Sequence, residues 1–161
     1  MRYLTILKGE GMKTLNIIFG LALLFAITNA NAVEGLISVK SPLSAKATMD
    51  KFENLAKQKG LNIFARIDHA AGAKKVEQQL RPTEVLIFGN PKGGTPLMQC
   101  AQTIGIDLPL KALVWEDAQS QVWLSYNDPT YIAERHNVPN CLVATKLSKV
   151  LAALSDKTVG P

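Results

Sequence analysis

Two apolar runs near the middle of the chain constrain the fold most. They cover residues 110–115 and 122–126, and a mostly polar segment, 116–121, separates them. Runs of valine, leucine and aromatic side chains joined by a polar connection are typical of an antiparallel hairpin. Alternate residues of the second run are predicted to share one face of the sheet: Val122, Leu124 and Tyr126. A hairpin excludes a wholly parallel sheet, and with it the fold classes that are built on one.

Strand and helix signals follow one another along the rest of the chain. The first half is expected to contain a strand ending at Ser41, a helix from Ser44 to Gly60, a strand over 61–67 and a short exposed helix around Glu77. A strand over 85–88 and a helix over 97–103 are expected before the hairpin. After it we expect a short helix over 129–135 started by Asp128 and a last helix with an apolar stripe over 143–154. Thr95 and Pro96 are expected to cap and begin the helix over 97–103. Ile63, Ala65 and Ile67 are expected to point the same way. We therefore predict an α+β fold, with a single, mostly antiparallel sheet of about five strands and the two longer helices packed on one face.

The first 32 residues have the pattern of an export signal. Lys13 precedes an apolar run over 15–27, and Ala30 and Ala32 are small residues at the two positions that signal peptidase inspects. The run is shorter than the roughly 17 to 25 residues that cross a bilayer, so we expect cleavage and no stable membrane insertion afterwards. Met12 is an alternative start, because it directly precedes Lys13. Residues 33–161 are then expected to be one domain in the periplasm or outside the cell.

Cys100 and Cys141 are the two cysteines of the chain. In an oxidising compartment such a pair can form a disulfide, provided that the fold brings the two α-carbons within about 7 Å. Two separate buried thiols are the alternative, and the residues leave both open.

The balance of charge does not indicate a nucleic-acid partner. The formal net charge is +5 at pH 7, and part of the excess lies in the first 32 residues. The remaining lysines are scattered along the chain, and aromatic residues do not interleave with them as a nucleic-acid surface requires.

Polar residues gather where two of the predicted strands end. Asp68 and His69 follow the strand over 61–67, and the strand over 85–88 is followed by a glycine-bearing loop that opens a helix. The N–H groups of such a loop can hold a carboxylate or phosphate, although this one lacks the G-K-[ST] ending of a P-loop. We predict a shallow site for a small ligand or anion, edged by polar side chains: Arg66, Asp68, His69, Asn90, Lys92 and Thr95. The structural alternatives are a helix cap for Thr95 and ion pairing for Arg66.

The two histidines support a second hypothesis. His69 and His136, with Glu116 or Asp117, can form a metal or acid–base site if the fold brings them together. No local ligand spacing such as H-E-x-x-H links them, and a hydrogen-bonded structural or surface histidine is the alternative. Because the chain has no G-x-S-x-G turn and neither cysteine lies beside a histidine in sequence, no catalytic residue is indicated. The sequence leaves the cofactor unknown.

Three aromatic residues of the hairpin allow more than one interpretation. Trp115, Trp123 and Tyr126 can line a concave surface, form a dimer face or belong to the core. We favour the core.

Several longer strings resemble those of one family. In order along the chain they are FARIDHAAGA (64–73), LRPTEVLIFGNPK (80–92), GTPLM (94–98), DLPLK (107–111), VWED (114–117) and YNDP (126–129), followed by Arg135-His136. The chain resembles the domain of unknown function 302. The resemblance implies a compact domain with a curved sheet and helices, similar to the TATA-box-binding-protein arrangement, that often associates as a homodimer. It implies no activity, substrate or cofactor, and neither cysteine belongs to its motifs.

Three hypotheses on function follow. The leading one is an exported, non-catalytic domain that binds a small ligand or anion. An enzyme or metal-binding protein that uses His69 or His136 with a carboxylate is the first alternative. The second is a structural, homodimeric interaction module.

Overall fold

An antiparallel sheet of five strands forms the centre of the fold. The computed structural model describes residues 33–161, so the predicted signal peptide and the alternative start at Met12 lie outside the described residues. The strands are β1 (Leu36–Ser41), β2 (Asn62–Asp68), β3 (Thr83–Gly89), β4 (Leu110–Glu116) and β5 (Val122–Asn127). They are arranged in the order β1-β5-β4-β3-β2, and every neighbouring pair is antiparallel. The predicted α+β class and the single antiparallel sheet, with β4 and β5 as the hairpin, are confirmed.

Within the described residues, helices separate all strands except the β4–β5 hairpin, and two more helices follow β5. They are α1 (Ala45–Gln58), α2 (His69–Lys74), α3 (Pro91–Cys100), α4 (Pro129–Arg135) and α5 (Leu142–Val159), with a short 3-10 helix at Gln102–Ile106 that we call the 102–106 turn. Two predicted caps are confirmed. The Ser44 hydroxyl accepts a hydrogen bond from the backbone N–H of Ala47 at 3.3 Å, and the Asp128 carboxylate accepts one from Thr130 at 3.0 Å. Each cap satisfies a donor that the first turn of its helix leaves unpaired.

The main core lies between one face of the sheet and the two long helices, α1 and α5. It is formed by apolar side chains that are almost fully buried: Met49, Phe52, Ala56, Leu86, Phe88, Ala112, Val114, Val122, Leu124, Tyr126, Leu151 and Leu154. Phe52 of α1 meets Phe88 of β3 edge to face, with ring centroids 5.3 Å apart. The predicted packing of both long helices on one face is therefore confirmed.

A second, smaller core lies beyond the end of the sheet and joins α3, the 102–106 turn, α4 and α5. Its buried members are Leu97, Ile104, Ile132, Ala133, Cys141 and Ala144. Cys100 and Cys141 form a disulfide with their α-carbons 6.0 Å apart. The bridge ties the end of α3 to the residue that precedes α5.

The start of α3 differs from the prediction. The helix begins at Pro91 and not after Thr95, because Asn90 is the cap: its Oδ1 accepts a hydrogen bond from the backbone N–H of Gly93 at 3.0 Å. Asparagine is a stronger N-cap than threonine, and Pro91 stands at the first helical position, where no N–H is needed. Pro96 lies inside the helix, and the helix ends at Cys100.

The short helix between β2 and β3 also differs in position. It covers His69–Lys74, and not the segment around Glu77. Asp68 caps it, since its Oδ1 accepts a hydrogen bond from Ala71 N–H at 2.8 Å. The alanines of this segment are strong helix formers, whereas Glu77 has a positive φ of 57° and lies in the turn after the helix.

Strand β2 contains an irregularity that the alternating pattern did not reveal. Ile63 pairs with Phe88, but Ala65 pairs with Ile87, so the register shifts between Ile63 and Ala65. Ile63 therefore packs against the main core, whereas Ala65 and Ile67 lie on the other face of the sheet. The prediction that all three point the same way is wrong.

The second face of the sheet carries a row of apolar side chains outside both buried cores. We call it the open face, and its apolar residues are Ala65, Ile67, Val85, Ile87, Leu113, Trp115 and Trp123. The rings of Trp115 and Trp123 stack with centroids 6.1 Å apart. Their N–H groups donate to Ser125 Oγ at 2.9 Å and Asp117 Oδ2 at 2.8 Å. Of the three aromatics expected in the core, Tyr126 lies there and the two tryptophans do not, because alternation along β5 sends Trp123 to the opposite face.

Within residues 33–161, no helix is long and apolar enough to span a lipid bilayer.

Candidate functional site

A concave site opens where β3 ends and α3 begins. We call it the α3 pocket. It has a volume of about 400 Å³, which is within the range of pockets for small ligands. Most of its wall is apolar: Leu61, Phe64, Met98, Leu108, Leu110 and Leu147. These residues come from four parts of the chain, so the pocket exists only in the folded domain.

Glycines keep this pocket open. A Cβ added at Gly94 would lie 3.6 Å from Leu108 Cδ1, and one at Gly105 would lie 3.4 Å from Met98 Sδ. A longer side chain at Gly94 would therefore reach the neighbouring wall. Phe64, at the irregularity in β2, is 57% exposed and contributes an aromatic ring to the rim.

The polar part of the α3 pocket is small. Asn90 lines it, but its Oδ1 already caps α3, and its Nδ2 donates to the Gly60 carbonyl at 3.4 Å. Thr95 lines it with an exposed side chain, and Lys92 lies on the exposed first turn of α3 outside the lining. The pocket therefore matches a mostly apolar molecule better than an anion.

The six residues of the predicted ligand site do not converge. Asn90 and Thr95 line the α3 pocket, whereas Asp68 and His69 lie at the opposite end of the β2–β3 ladder. The two strands are antiparallel, and Asp68 pairs with Glu84 near the start of β3. The ends of two consecutive antiparallel strands lie at opposite edges of the sheet. Asp68 is occupied as the cap of α2.

Arg66 is held by carboxylates. Its Nε and Nη2 donate to the two oxygens of Glu84, at 2.5 and 2.9 Å, and its Nη1 donates to Asp50 at 2.7 Å and to Glu53 at 3.0 Å. The hydrogen bonds to Glu84, followed by those to Asp50 and Glu53, raise the pKa of the guanidinium above its usual range. Arg66, Asp68 and Glu84 line a second, more polar depression of about 370 Å³. Arg66 thus forms ion pairs within the protein, which is the structural alternative to a ligand contact.

Basic partners lower the pKa of two of the carboxylates around Arg66, those of Asp50 and Glu53. A hydrogen bond from Lys46, followed by that from Arg66, holds the pKa of Asp50 below its usual range. A hydrogen bond from Lys57, and then that from Arg66, does the same for the pKa of Glu53. The cluster is a charged network between α1 and the sheet, with little donor capacity left for a ligand.

The residues of the predicted metal site lie apart. His136 stands at the end of α4 and contacts Asp107, which precedes β4, whereas Glu116 is the last residue of β4. His69 is exposed at the start of α2. No group of three or more histidine, cysteine, aspartate or glutamate side chains within residues 33–161 is placed to hold a metal ion.

His136 instead joins two residues that the sequence did not single out. Its Nδ1 lies 2.8 Å from Thr103 Oγ1, and its Nε2 lies 2.7 Å from Asp107 Oδ2. Arg135 donates to the other oxygen of Asp107 at 2.9 Å. No spacing rule connects positions about 30 apart in sequence. Asp107 belongs to the family-like string DLPLK, and Arg135 and His136 form another, but neither string indicates that these residues contact each other.

The fold and the pocket together define a small α+β domain with helices on one face of an antiparallel sheet and an apolar cavity at the end of that sheet. The sequence model of the family described as "Domain of unknown function DUF302" matches residues 37–154. The chain belongs to this family. A solved structure with the same fold is the "uncharacterized conserved protein DUF302 from Bacillus stearothermophilus", with a TM-score of 0.71 at 20% identity. The superposition covers 78% of this chain and 99% of that one.

Curated relatives carry a different description. A stretch of 104 residues is 50% identical to the "Fluoride-specific ion channel FluC 1" of Brucella suis biovar 1, which covers 65% of this chain and 41% of that protein. The "Fluoride-specific ion channel FluC 2" of Brucella melitensis biotype 1 matches at 50% identity over 104 residues, 38% of its length. The chain thus spans about 40% of the length of these relatives.

Proposed function

We propose that the domain binds a small, mostly apolar molecule in the α3 pocket and does not transform it. The observation that carries the proposal is a cavity of about 400 Å³ with an apolar wall and few polar groups. A ligand there gains from removing apolar surface from water, about 25 cal/mol per Å². The Thr95 hydroxyl at the rim supplies a hydrogen bond to one polar atom of the ligand. Of the six polar residues predicted at the strand ends, Asn90 and Thr95 line this pocket, and a charged ligand is not favoured.

Thermal unfolding of the purified protein with a panel of small apolar probes tests the proposal. Short-chain, medium-chain and aromatic alcohols cover the range of shapes that such a pocket accepts. At about 100 times the dissociation constant, a ligand stabilises a one-site protein by about 2.7 kcal/mol. For a domain of this size that raises the Tm by about 10 °C.

A matched pair of variants assigns the binding to the pocket. Gly94→Leu places an apolar side chain in the cavity from a position where a Cβ makes an ordinary contact. Gly72→Leu makes the same change on the exposed helix α2, where no atom beyond the adjoining residues and the helix backbone lies within 4 Å of the added Cβ. We expect the probe-induced rise in Tm to persist in Gly72→Leu and to disappear in Gly94→Leu. An equal rise in both variants, or no rise with any probe in the parent chain, would contradict the proposal.

We infer that the domain acts in the periplasm or outside the cell. The disulfide between Cys100 and Cys141 supports this, because such bridges persist in oxidising compartments and are rare in the cytosol. The export pattern of the first 32 residues supports it independently. The mass of the protein from the periplasmic fraction of the native host is expected to correspond to a chain that begins at Val33. Recovery of the uncut chain from the cytosol, with free thiols, would refute it.

A homodimer through the open face is the second candidate function. Its support is the row of apolar side chains outside both cores, among them Ile67, which is 41% exposed. Two copies packed face to face would remove this row from water, as stacked sheets do in a sandwich.

Sedimentation velocity tests the dimer with a matched pair of variants. Leu113→Lys puts a charge in the middle of the open face, and Val150→Lys makes a similar change at a 46% exposed position of α5. We expect the parent chain and Val150→Lys to sediment as dimers and Leu113→Lys as a monomer. A parent chain that stays monomeric at high micromolar concentration would eliminate this candidate.

A further inference from the structure

Thr103, His136 and Asp107 form a continuous hydrogen-bonded relay. Thr103 Oγ1 lies 2.8 Å from one ring nitrogen of His136, and Asp107 Oδ2 lies 2.7 Å from the other. Thr103 is exposed, whereas the side chains of His136 and Asp107 are only 10% and 13% exposed. The Thr103 hydroxyl therefore faces solvent, while the imidazole and the carboxylate behind it are nearly buried.

Two elements of the fold carry the relay. Thr103 belongs to the 102–106 turn, and His136 is the residue that caps the end of α4. The disulfide lies close to both in sequence, because Cys100 precedes the turn and Cys141 follows His136. Arg135 fixes the Asp107 carboxylate from its other oxygen, at 2.9 Å. Nucleophile, base and orienting group therefore meet at hydrogen-bond distance, which is the geometry of an activated hydroxyl.

The hydrogen bonds define the tautomer of the ring. An ionised carboxylate paired with Arg135 can only accept, so His136 Nε2 carries the hydrogen and donates to Asp107. In the neutral imidazole Nδ1 is then a bare acceptor, and Thr103 O–H donates to it. The ring is thus ready to take the proton of Thr103, and Asp107 stabilises the imidazolium that results.

We propose that Thr103 is an activated nucleophile that accepts an acyl group from a small activated ester or thioester. Thr103 Oγ1 attacks the carbonyl carbon of the donor, and its proton passes to His136 Nδ1. A new C–O bond forms, the bond from the carbonyl carbon to the leaving oxygen or sulfur breaks, and His136 returns the proton to the leaving group. No oxidant or reductant takes part. His136 is the proton acceptor, and Asp107 is a positioning residue.

The relay is a separate site from the α3 pocket. None of its three side chains lines that pocket, although Gly105 and Leu108 of the same segment do. The residues just before Thr103, from Cys100 to Gln102, line an open depression of about 630 Å³, which offers room for a donor beside the turn. Because Arg135 also pairs with the Asp107 carboxylate, we expect His136 to activate the Thr103 hydroxyl only moderately. Acylation of Thr103 is then slow and stops at one acyl group per chain.

Acetylation by p-nitrophenyl acetate tests the proposal on the intact protein. Peptide mapping by mass spectrometry measures the acetyl group on Thr103 and on Thr145, an exposed threonine of α5 that serves as an internal reference. Treatment with hydroxylamine removes esters and leaves acetylated lysines, so the two products are distinguished. We expect acetylation of Thr103 at least about 100 times faster than that of Thr145, since a positioned general base contributes about 10² to 10⁴.

Variants separate an activated hydroxyl from a merely structural hydrogen bond. Thr103→Ser is expected to keep the modification, because it keeps the hydroxyl. His136→Gln is expected to lower the rate at least about 100-fold towards that of Thr145. Equal acetylation rates at Thr103 and Thr145 in the parent chain would overturn the proposal. This comparison does not depend on whether any variant folds. A hydrogen on Nδ1 of neutral His136, measured from its ¹⁵N chemical shifts, would overturn it as well.

Discussion

Breaking the disulfide is expected to reduce stability by an amount that the structure allows us to work out. The bridge joins residues 41 apart, and for a loop of this length the chain-entropy relation gives about 4 kcal/mol at 25 °C. The two α-carbons are 6.0 Å apart, within the usual range of about 4.4 to 6.8 Å, so bridging requires no displacement of the backbone. With about 2.1 cal/mol/K of unfolding entropy per residue, a loss of 4 kcal/mol lowers the Tm of such a domain by about 15 °C.

Urea unfolding with and without dithiothreitol measures this contribution. Cys100 is exposed, so the reductant reaches the bridge from that side, although Cys141 is buried. We expect the transition midpoint of the parent chain to fall on reduction and that of a Cys100→Ala/Cys141→Ala double variant to be low in both buffers. If reduction leaves the parent midpoint unchanged, the bridge does not restrict the unfolded chain as calculated. If the double variant responds as well, the reductant acts elsewhere.

Two further predictions concern the main core and the Arg66 network. Phe52→Ala removes a fully buried ring that packs against Phe88, and a loss of about 3 to 5 kcal/mol is expected in denaturant unfolding; a loss below 1 kcal/mol would show that this contact is not part of the core. Arg66→Gln leaves Asp50 and Glu53 without their shared partner and is expected to cost about 1 to 2 kcal/mol at pH 7. Because the pKa values of both carboxyls are lowered in the folded state, their stabilisation is present above the usual carboxyl pKa and is lost as the pH falls through the folded values. Arg66 lowers both pKa values after Lys46 and Lys57, which remain in the variant, so the difference between Arg66→Gln and the parent chain is expected to shrink as the pH falls below the usual carboxyl pKa, and a constant difference would contradict it.

The fold could be predicted because most of its determinants are local. The hairpin, the caps at Ser44 and Asp128 and the apolar stripe of the last helix each depend on residues close in sequence. The start of α3 was harder to predict, because two possible N-caps lie close together and differ only slightly in capping strength. Asn90 and Thr95 each precede a proline, and the stronger cap began the helix. The irregularity in β2 depends on pairing with β3, which no alternation within one strand reveals.

The candidate sites could not be predicted to the same degree, because they are built from distant contacts. Asp68 and Asn90 both follow a strand, but antiparallel neighbours place their ends at opposite edges of the sheet. The carboxyl ends of neighbouring strands lie at one edge only where the strands are parallel, and the hairpin had already excluded a wholly parallel sheet. Most of the wall of the α3 pocket is apolar, and apolar residues in a sequence do not reveal whether they fill a core or line a cavity.

The segment between α3 and β4 links the two candidate sites. It supplies Gly105 and Leu108 to the α3 pocket and Thr103 and Asp107 to the relay, while Ile104 alone among its residues is fully buried. Such a segment depends on its cross-links for a fixed shape, so changes that break the Asp107–His136 contact are expected to alter the pocket as well. Thr103→Ser keeps every hydrogen bond and changes a single methyl group. If Thr103→Ser loses ligand binding in the α3 pocket, the cause is the lost packing of the methyl group. If a variant of Asp107 loses it, the cause is that the segment between α3 and β4 is no longer held by His136.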